Sequence, residues 1–156
     1  MRRTQFALTI SLAIAQLLSS CSTEETVDNV TSTTPTYTTL YDSVFKYCAD
    51  CHSPDGAEDI GIDFSQMQAS YDAMYNKTPS EAGATAPTAC QSVKLINPGQ
   101  AQQSILAGTI VASYSGNFDD ASCVPSLSIH ETENALPSTS LQESVVNWIN
   151  AGASYN

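Results

Sequence analysis

Two thiols and an imidazole fall within five consecutive positions, Cys48-Ala49-Asp50-Cys51-His52. Thiols three positions apart can reach both vinyl groups of one porphyrin as thioethers, and the adjacent histidine then presents a nitrogen to the iron, so the pentapeptide has the attachment pattern of c-type haem. One covalent haem c is therefore the expected cofactor, held by Cys48 and Cys51 with His52 as the proximal axial ligand. Other uses of the same residues fit less well. A thioredoxin-like redox pair opens a helix after a strand, whereas this motif ends a helical pattern with no βαβ unit around it. Zinc needs a fourth ligand, usually from a second Cys-x-x-Cys or a His pair, which the chain does not contain. A structural disulfide between Cys48 and Cys51 would close a strained short loop.

The remaining cysteines divide without remainder. Arg2 and Arg3 precede an uncharged run from Phe6 to Leu18, too short to span a bilayer as a mature helix, and Leu18-Ser19-Ser20-Cys21 follows it. This looks like a signal peptide over 1–20 ending in a bacterial lipobox, with Cys21 as the lipidated first residue of the mature chain. The compartment is then the periplasmic face of a bacterial membrane. No sorting aspartate follows Cys21, which favours the outer membrane by resemblance to lipoproteins of the enterobacterial kind. Cys90 and Cys123 are left as a disulfide pair, expected in an oxidising compartment, where closing a loop of about 34 residues stabilises by roughly 3 to 4 kcal/mol.

Charge and composition limit the partners. Of 156 residues, five are Lys or Arg and 16 are Asp or Glu. Removal of the leader takes both arginines with it and leaves Lys46, Lys77 and Lys94 against 16 acids, a side-chain balance of −13. Nucleic acid is excluded as a partner, and redox proteins with basic docking patches are expected. Ser22 to Thr38 holds seven threonines and no large apolar cluster, so it reads, together with Cys21, as a flexible tether over 21–38. Its 17 residues span roughly 25 Å as a coil and about 55 Å stretched.

The elements that must position the motif are helical. Leu40, Val44, Tyr47 and Cys48 recur at helical spacing, with Thr38 or Thr39 as N-cap, and the helix runs into the motif. Met67, Tyr71, Met74 and Tyr75 form a second stripe, serving as core or as haem wall. Lys77 to Ala89 reads as a loop, Pro98 to Ile110 as a short helix with Ile105, Leu106 and Ile110 inward, and Ser113 to Ala135 as a long polar connection. Ser138 or Thr139 caps a last helix whose apolar face is Leu141, Val145, Trp148 and Ile149, stopped by Gly152. No strand pattern or internal repeat appears. The expected architecture is a small all-α domain over 39–156 whose first and last helices pack together while long loops wrap one haem.

In this order the segments resemble a class I c-type cytochrome domain, of the short kind found in bacterial lipoproteins and planctomycete-type cytochromes. The resemblance rests on Cys48-Ala49-Asp50-Cys51-His52, Gly61-Ile62-Asp63-Phe64, Asn97-Pro98-Gly99 with Ser104-Ile105-Leu106, and Trp148-Ile149-Asn150-Ala151-Gly152-Ala153, and covers about Thr39 to Ala153. It implies a cytochrome c-like monohaem fold in which the motif histidine is the fifth ligand and a methionine before the last helix is the sixth. Here the chain departs from the pattern. The only methionines are Met1, Met67 and Met74, and in Cys123-Val124-Pro125-Ser126-Leu127 a leucine stands where the methionine would fall. His130, the one other histidine, lies close to that place. The sixth ligand is then His130, the favoured choice, or Met67 or Met74 from the preceding helix, or the distal side is open. A histidine in place of methionine implies a lower potential than that of a His/Met cytochrome.

Two functions follow from these alternatives. With both axial positions filled, the protein is an electron carrier rather than an enzyme, moving electrons within reach of its membrane tether. With an open iron, it senses a diatomic gas or reacts with peroxide. Against the second stands the lack of any arginine after Arg3, which leaves few groups for distal acid or base work.

Overall fold

The computed structural model describes residues 34–111, 114, 118, 121–125, 130–131 and 135–156. The signal peptide, Cys21 and most of the tether therefore lie outside the described residues. Among those described there is no sheet, only an isolated parallel bridge between Tyr75 and Ile96, and the domain is all-α.

The first helix, α1, is built in three consecutive pieces. An α-helical turn, Tyr37–Leu40, passes into a π-helical turn, Tyr41–Phe45, and back into an α-helical turn, Lys46–Cys48. Its N-cap is Thr36, and not Thr38 or Thr39 as the periodicity suggests. The Thr36 hydroxyl accepts from Thr39 N–H, and the Thr39 hydroxyl accepts from Thr36 N–H at 2.9 Å, a reciprocal capping box. Tyr37, assigned by composition to the tether, is fully buried, and its N–H donates to Ser154 O at 3.0 Å. The π turn also explains a misplaced side chain. Tyr47 falls on the apolar stripe at the regular 3.6-residue period, but the wider turn rotates the residues after it, and Tyr47 is 68% exposed while Val44 and Phe45 face the core.

Among the described residues the helices α2 (Met67–Met74), α3 (Pro79–Ala82), α4 (Ile105–Ile110) and α5 (Thr139–Asn150) follow. Two 3₁₀ turns, Thr88–Cys90 and Ala101–Gln103, lie between α3 and α4. The stretch read as a loop from Lys77 to Ala89 thus holds the short α3. Its Thr78 and Glu81 form a second capping box, with Thr78 N–H donating to the Glu81 carboxylate at 2.7 Å. The stretch read as one helix from Pro98 to Ile110 is divided at Ser104, which is extended. Ser104 is fully buried, and its hydroxyl accepts from Asn97 N–H at 2.8 Å and donates to Gln100 O at 3.0 Å. Satisfying these groups locally competes with a continuous helix.

The first and last helices do pack together. Trp148 lies against Tyr37 and Phe45, with ring centroids 5.6 and 5.8 Å apart. Beyond the motif, the chain at Gly61 comes close to the segment at Gly83. Gly61 has a φ of 77°, and a Cβ there would run into the Gly83 carbonyl, so the close approach of the two segments requires glycine.

Candidate functional site

The pentapeptide begins at the last residue of α1 and turns sharply, with Cys51 N–H and His52 N–H both directed to Cys48 O, at 3.2 and 2.7 Å. The next loop then closes over it. Glu58 N–H donates to Cys51 O at 2.9 Å and Phe64 N–H to His52 O at 3.0 Å. Gly56 makes this possible, because a Cβ there would overlap the Cys51 carbonyl.

This wrapping sets the state of His52. Its Nδ1 is 2.9 Å from Glu58 O, and a carbonyl only accepts, so Nδ1 carries the hydrogen and Nε2 keeps its lone pair for a ligand. The Phe64 ring, 6.1 Å away centre to centre, supports the imidazole from the core side. The acceptor is a main-chain oxygen, so no residue type marks it in the sequence.

Two cavities adjoin at this histidine. One, of about 230 Å³, is walled by Ile60, Ile62, Phe64, Met74 and Leu106. The other, of about 420 Å³, extends towards Tyr47, Cys51 and Leu136. Both are bordered by Cys48, His52, Leu106, Ile110 and His130. Volumes of this order and apolar walls with few polar groups are typical of small-molecule and cofactor sites. The imidazole of His130, far along the chain, stands opposite that of His52, with ring centroids 6.0 Å apart and planes inclined by 72°.

The two motif thiols differ. Cys48 is half-buried, and burial pushes its thiol up to about 11, while Cys51 is exposed. An unfolded chain releases a cysteine proton near pH 8.5. Between that pH and about 11 the folded metal-free chain holds a proton the unfolded one has lost, so its stability falls as pH rises through this window. The same asymmetry orders the reactivity. Iodoacetamide at pH 8 is expected to alkylate Cys51 of the cofactor-free protein well before Cys48, as read by peptide mass spectrometry; equal rates would contradict the burial of Cys48.

The fold thus brings Cys48, Cys51, His52 and His130 to one place. Met74 is buried and lines the smaller cavity, whereas Met67 packs half-buried against the core and borders neither cavity. Cys90 and Cys123 are joined as a disulfide, with Cα atoms 4.7 Å apart. Cys21 and Leu127 lie outside the described residues. Among the described residues no cluster of three or more His, Cys, Asp or Glu side chains has the arrangement that grips a bare metal ion. Pro125 and Leu136 also reach the cavities. Neither is distinguishable in the sequence from an ordinary loop residue, because only the folded loop carries it to the site. No protein-family model matches the chain, and neither a curated protein nor a solved structure is similar to it.

Proposed function

We propose that this chain is a membrane-tethered monohaem c-type cytochrome that transfers electrons, with a cytochrome c-like fold around one haem held by Cys48 and Cys51. The observation that carries the reading is the facing pair of imidazoles at 6.0 Å across apolar cavities bordered by Cys48. Two imidazoles bound through nitrogen to opposite sides of one metal, with bonds of about 2.0 Å, have their ring centres about 6 Å apart. The residues present fit a haem: Cys48 and Cys51 would hold its porphyrin, and His52 and His130 would supply nitrogen donors to its iron, so a cluster of three protein donors is not needed. Haem, when bound, supplies a one-electron iron couple whose potential its axial ligands set.

The chain's own residues do the rest. Glu58 O holds His52 in the tautomer that leaves Nε2 to bind. Ile60, Ile62, Phe64 and Leu106 exclude water from the inner wall, which lowers the local dielectric. His130 takes the position that a substrate or gas would otherwise use, so the reading is of an electron carrier and not of an enzyme. Lipidation at Cys21 and the tether keep the domain at the periplasmic face of a membrane, the outer one by its lack of a sorting aspartate.

The optical spectrum of the reduced protein, made with the haem attachment machinery, tests the reading before and after carbon monoxide is added. A c-type spectrum that carbon monoxide leaves unchanged is the expected result. A chain without haem overturns the reading, and a carbon monoxide shift replaces electron transfer by gas or peroxide chemistry.

The partner follows from charge. Asp42, Asp50, Asp55, Glu58 and Asp59 are all exposed around the motif, accompanied there by Lys46. Such a surface steers cationic partners and acts on the rate of encounter more than on affinity. Reduction by a cationic mediator is expected to slow by about tenfold or more between low and high ionic strength, as measured by stopped flow. A rate independent of salt removes the steering argument.

A further inference from the structure

We infer that the Cys90–Cys123 disulfide and the seat of Pro125 on Gly108 are positioning elements that hold His130 opposite His52. The inference rests on the reading of His130 as an axial ligand. The chain leaves α4 at Ile110, and its described residues border the cavities again at Pro125, His130, Leu136 and Pro137, after a long connection without an extended helix among its described residues. The cost of closing a connection grows with the number of residues it contains. It is fastened at Cys123, buried and disulfide-bonded to the equally buried Cys90.

The other end of that bond is itself fixed. Cys90 closes the 3₁₀ turn Thr88–Cys90, and the preceding residues Ala84 to Pro87 form part of the smaller cavity's wall. Thr85 N–H donates to Ile60 O at 2.9 Å, in the loop that wraps His52. The disulfide therefore ties the His130 segment to the wall of the His52 side. Two positions on, Pro125 is buried at the cavity and lies on α4 at Gly108. A Cβ on Gly108 would come within 3.1 Å of the Pro125 ring and 2.7 Å of the Phe118 ring, so the absence of a side chain lets this segment lie close to α4. His130 thus follows Cys123 by seven residues and Pro125 by five, so both anchors lie close to it in the chain.

The double variant Cys90→Ser/Cys123→Ser tests this on the haem-loaded full chain. Compared with the wild type, the reduced variant is expected to bind carbon monoxide to an extent larger by about tenfold at the same gas concentration, since apparent affinity scales with the fraction of molecules in which the position is open. Its circular dichroism and thermal unfolding are expected to stay close to those of the wild type, which general loss of structure would not allow. If the variant does not accumulate, the wild type treated with a water-soluble phosphine, with free thiols counted by mass spectrometry, carries the same comparison. A variant as closed to carbon monoxide as the wild type overturns the inference and leaves the axial role of His130 standing. A variant that opens but has lost the wild-type circular dichroism also overturns it, because the disulfide then maintains the fold at large. A wild type that binds carbon monoxide as fully as the His130→Ala variant removes His130 as a ligand, and the inference falls with it.

Discussion

His52→Ala is expected to yield no stably haem-loaded protein, whereas His130→Ala keeps its covalent haem and becomes reactive to carbon monoxide. The two imidazoles face each other, but the structure treats them differently. His52 is one residue from Cys51, its main chain is bonded to Cys48 and Phe64, and its ring is fixed by Glu58 O. On the proposed reading, removing it would leave the thiols without a nitrogen donor beside the point of haem attachment. His130 comes from a remote segment and contributes no thiol, so its loss opens one position and leaves both thioether sites intact. The pair of variants is read by haem-stained gels and by spectra with and without carbon monoxide. The His130→Ala spectrum is expected to lose its six-coordinate form and to regain it with added imidazole. Retention of that form without imidazole would assign the sixth position to another group, with Met74, buried on the cavity wall, as the first to test.

Trp148→Ala is expected to have the largest effect on stability. The indole is fully buried, lies against Tyr37 and Phe45, and donates from Nε1 to Ser154 O at 2.8 Å. Tyr37 extends the same cluster to Tyr71 and Tyr155, and its buried hydroxyl is 2.6 Å from the Ser70 hydroxyl. Burial pushes the Tyr37 phenol up. Truncating a buried tryptophan costs about 3–5 kcal/mol, and the Ser154 carbonyl loses its donor as well. Against a total of about 5–15 kcal/mol this removes much of the stability of a small domain. The midpoint of thermal unfolding should fall by about 10–25 °C, followed by circular dichroism. Trp148→Phe should cost less, since it keeps most of the packing and loses the hydrogen bond. A shift of only a few degrees for alanine would show that the α1–α5 contact is not what holds the first and last helices together.

The α2 and α5 stripes and the end of α1 at the motif were legible in the sequence because their determinants are local. Side chains three and four positions apart share a helix face whatever surrounds them, as Met74 on α2 and Val145, Trp148 and Ile149 on α5 do. The same rule failed for Tyr47, where a π turn breaks the period. It failed again between Pro98 and Ile110, where the buried Ser104 hydroxyl takes up main-chain groups and divides the helix. Both departures arise from hydrogen bonding that the apolar pattern does not encode.

The candidate site divides in the same way. Cys48, Cys51 and His52 were determined by the sequence alone, since covalent spacing within one turn places two thiols and an imidazole together in any fold that exposes them. The cysteine arithmetic also pointed to Cys90 and Cys123, which the fold joins. That His130 faces His52 was decided by tertiary structure. A histidine among mostly polar neighbours carries no local sign of its partner, and on the inference drawn above its position depends on α4 with its bare Gly108 and on a crosslink at Cys123. Local chemistry is written in neighbouring residues, whereas a pairing across the chain exists only once packing has overcome the entropy of the segment between them.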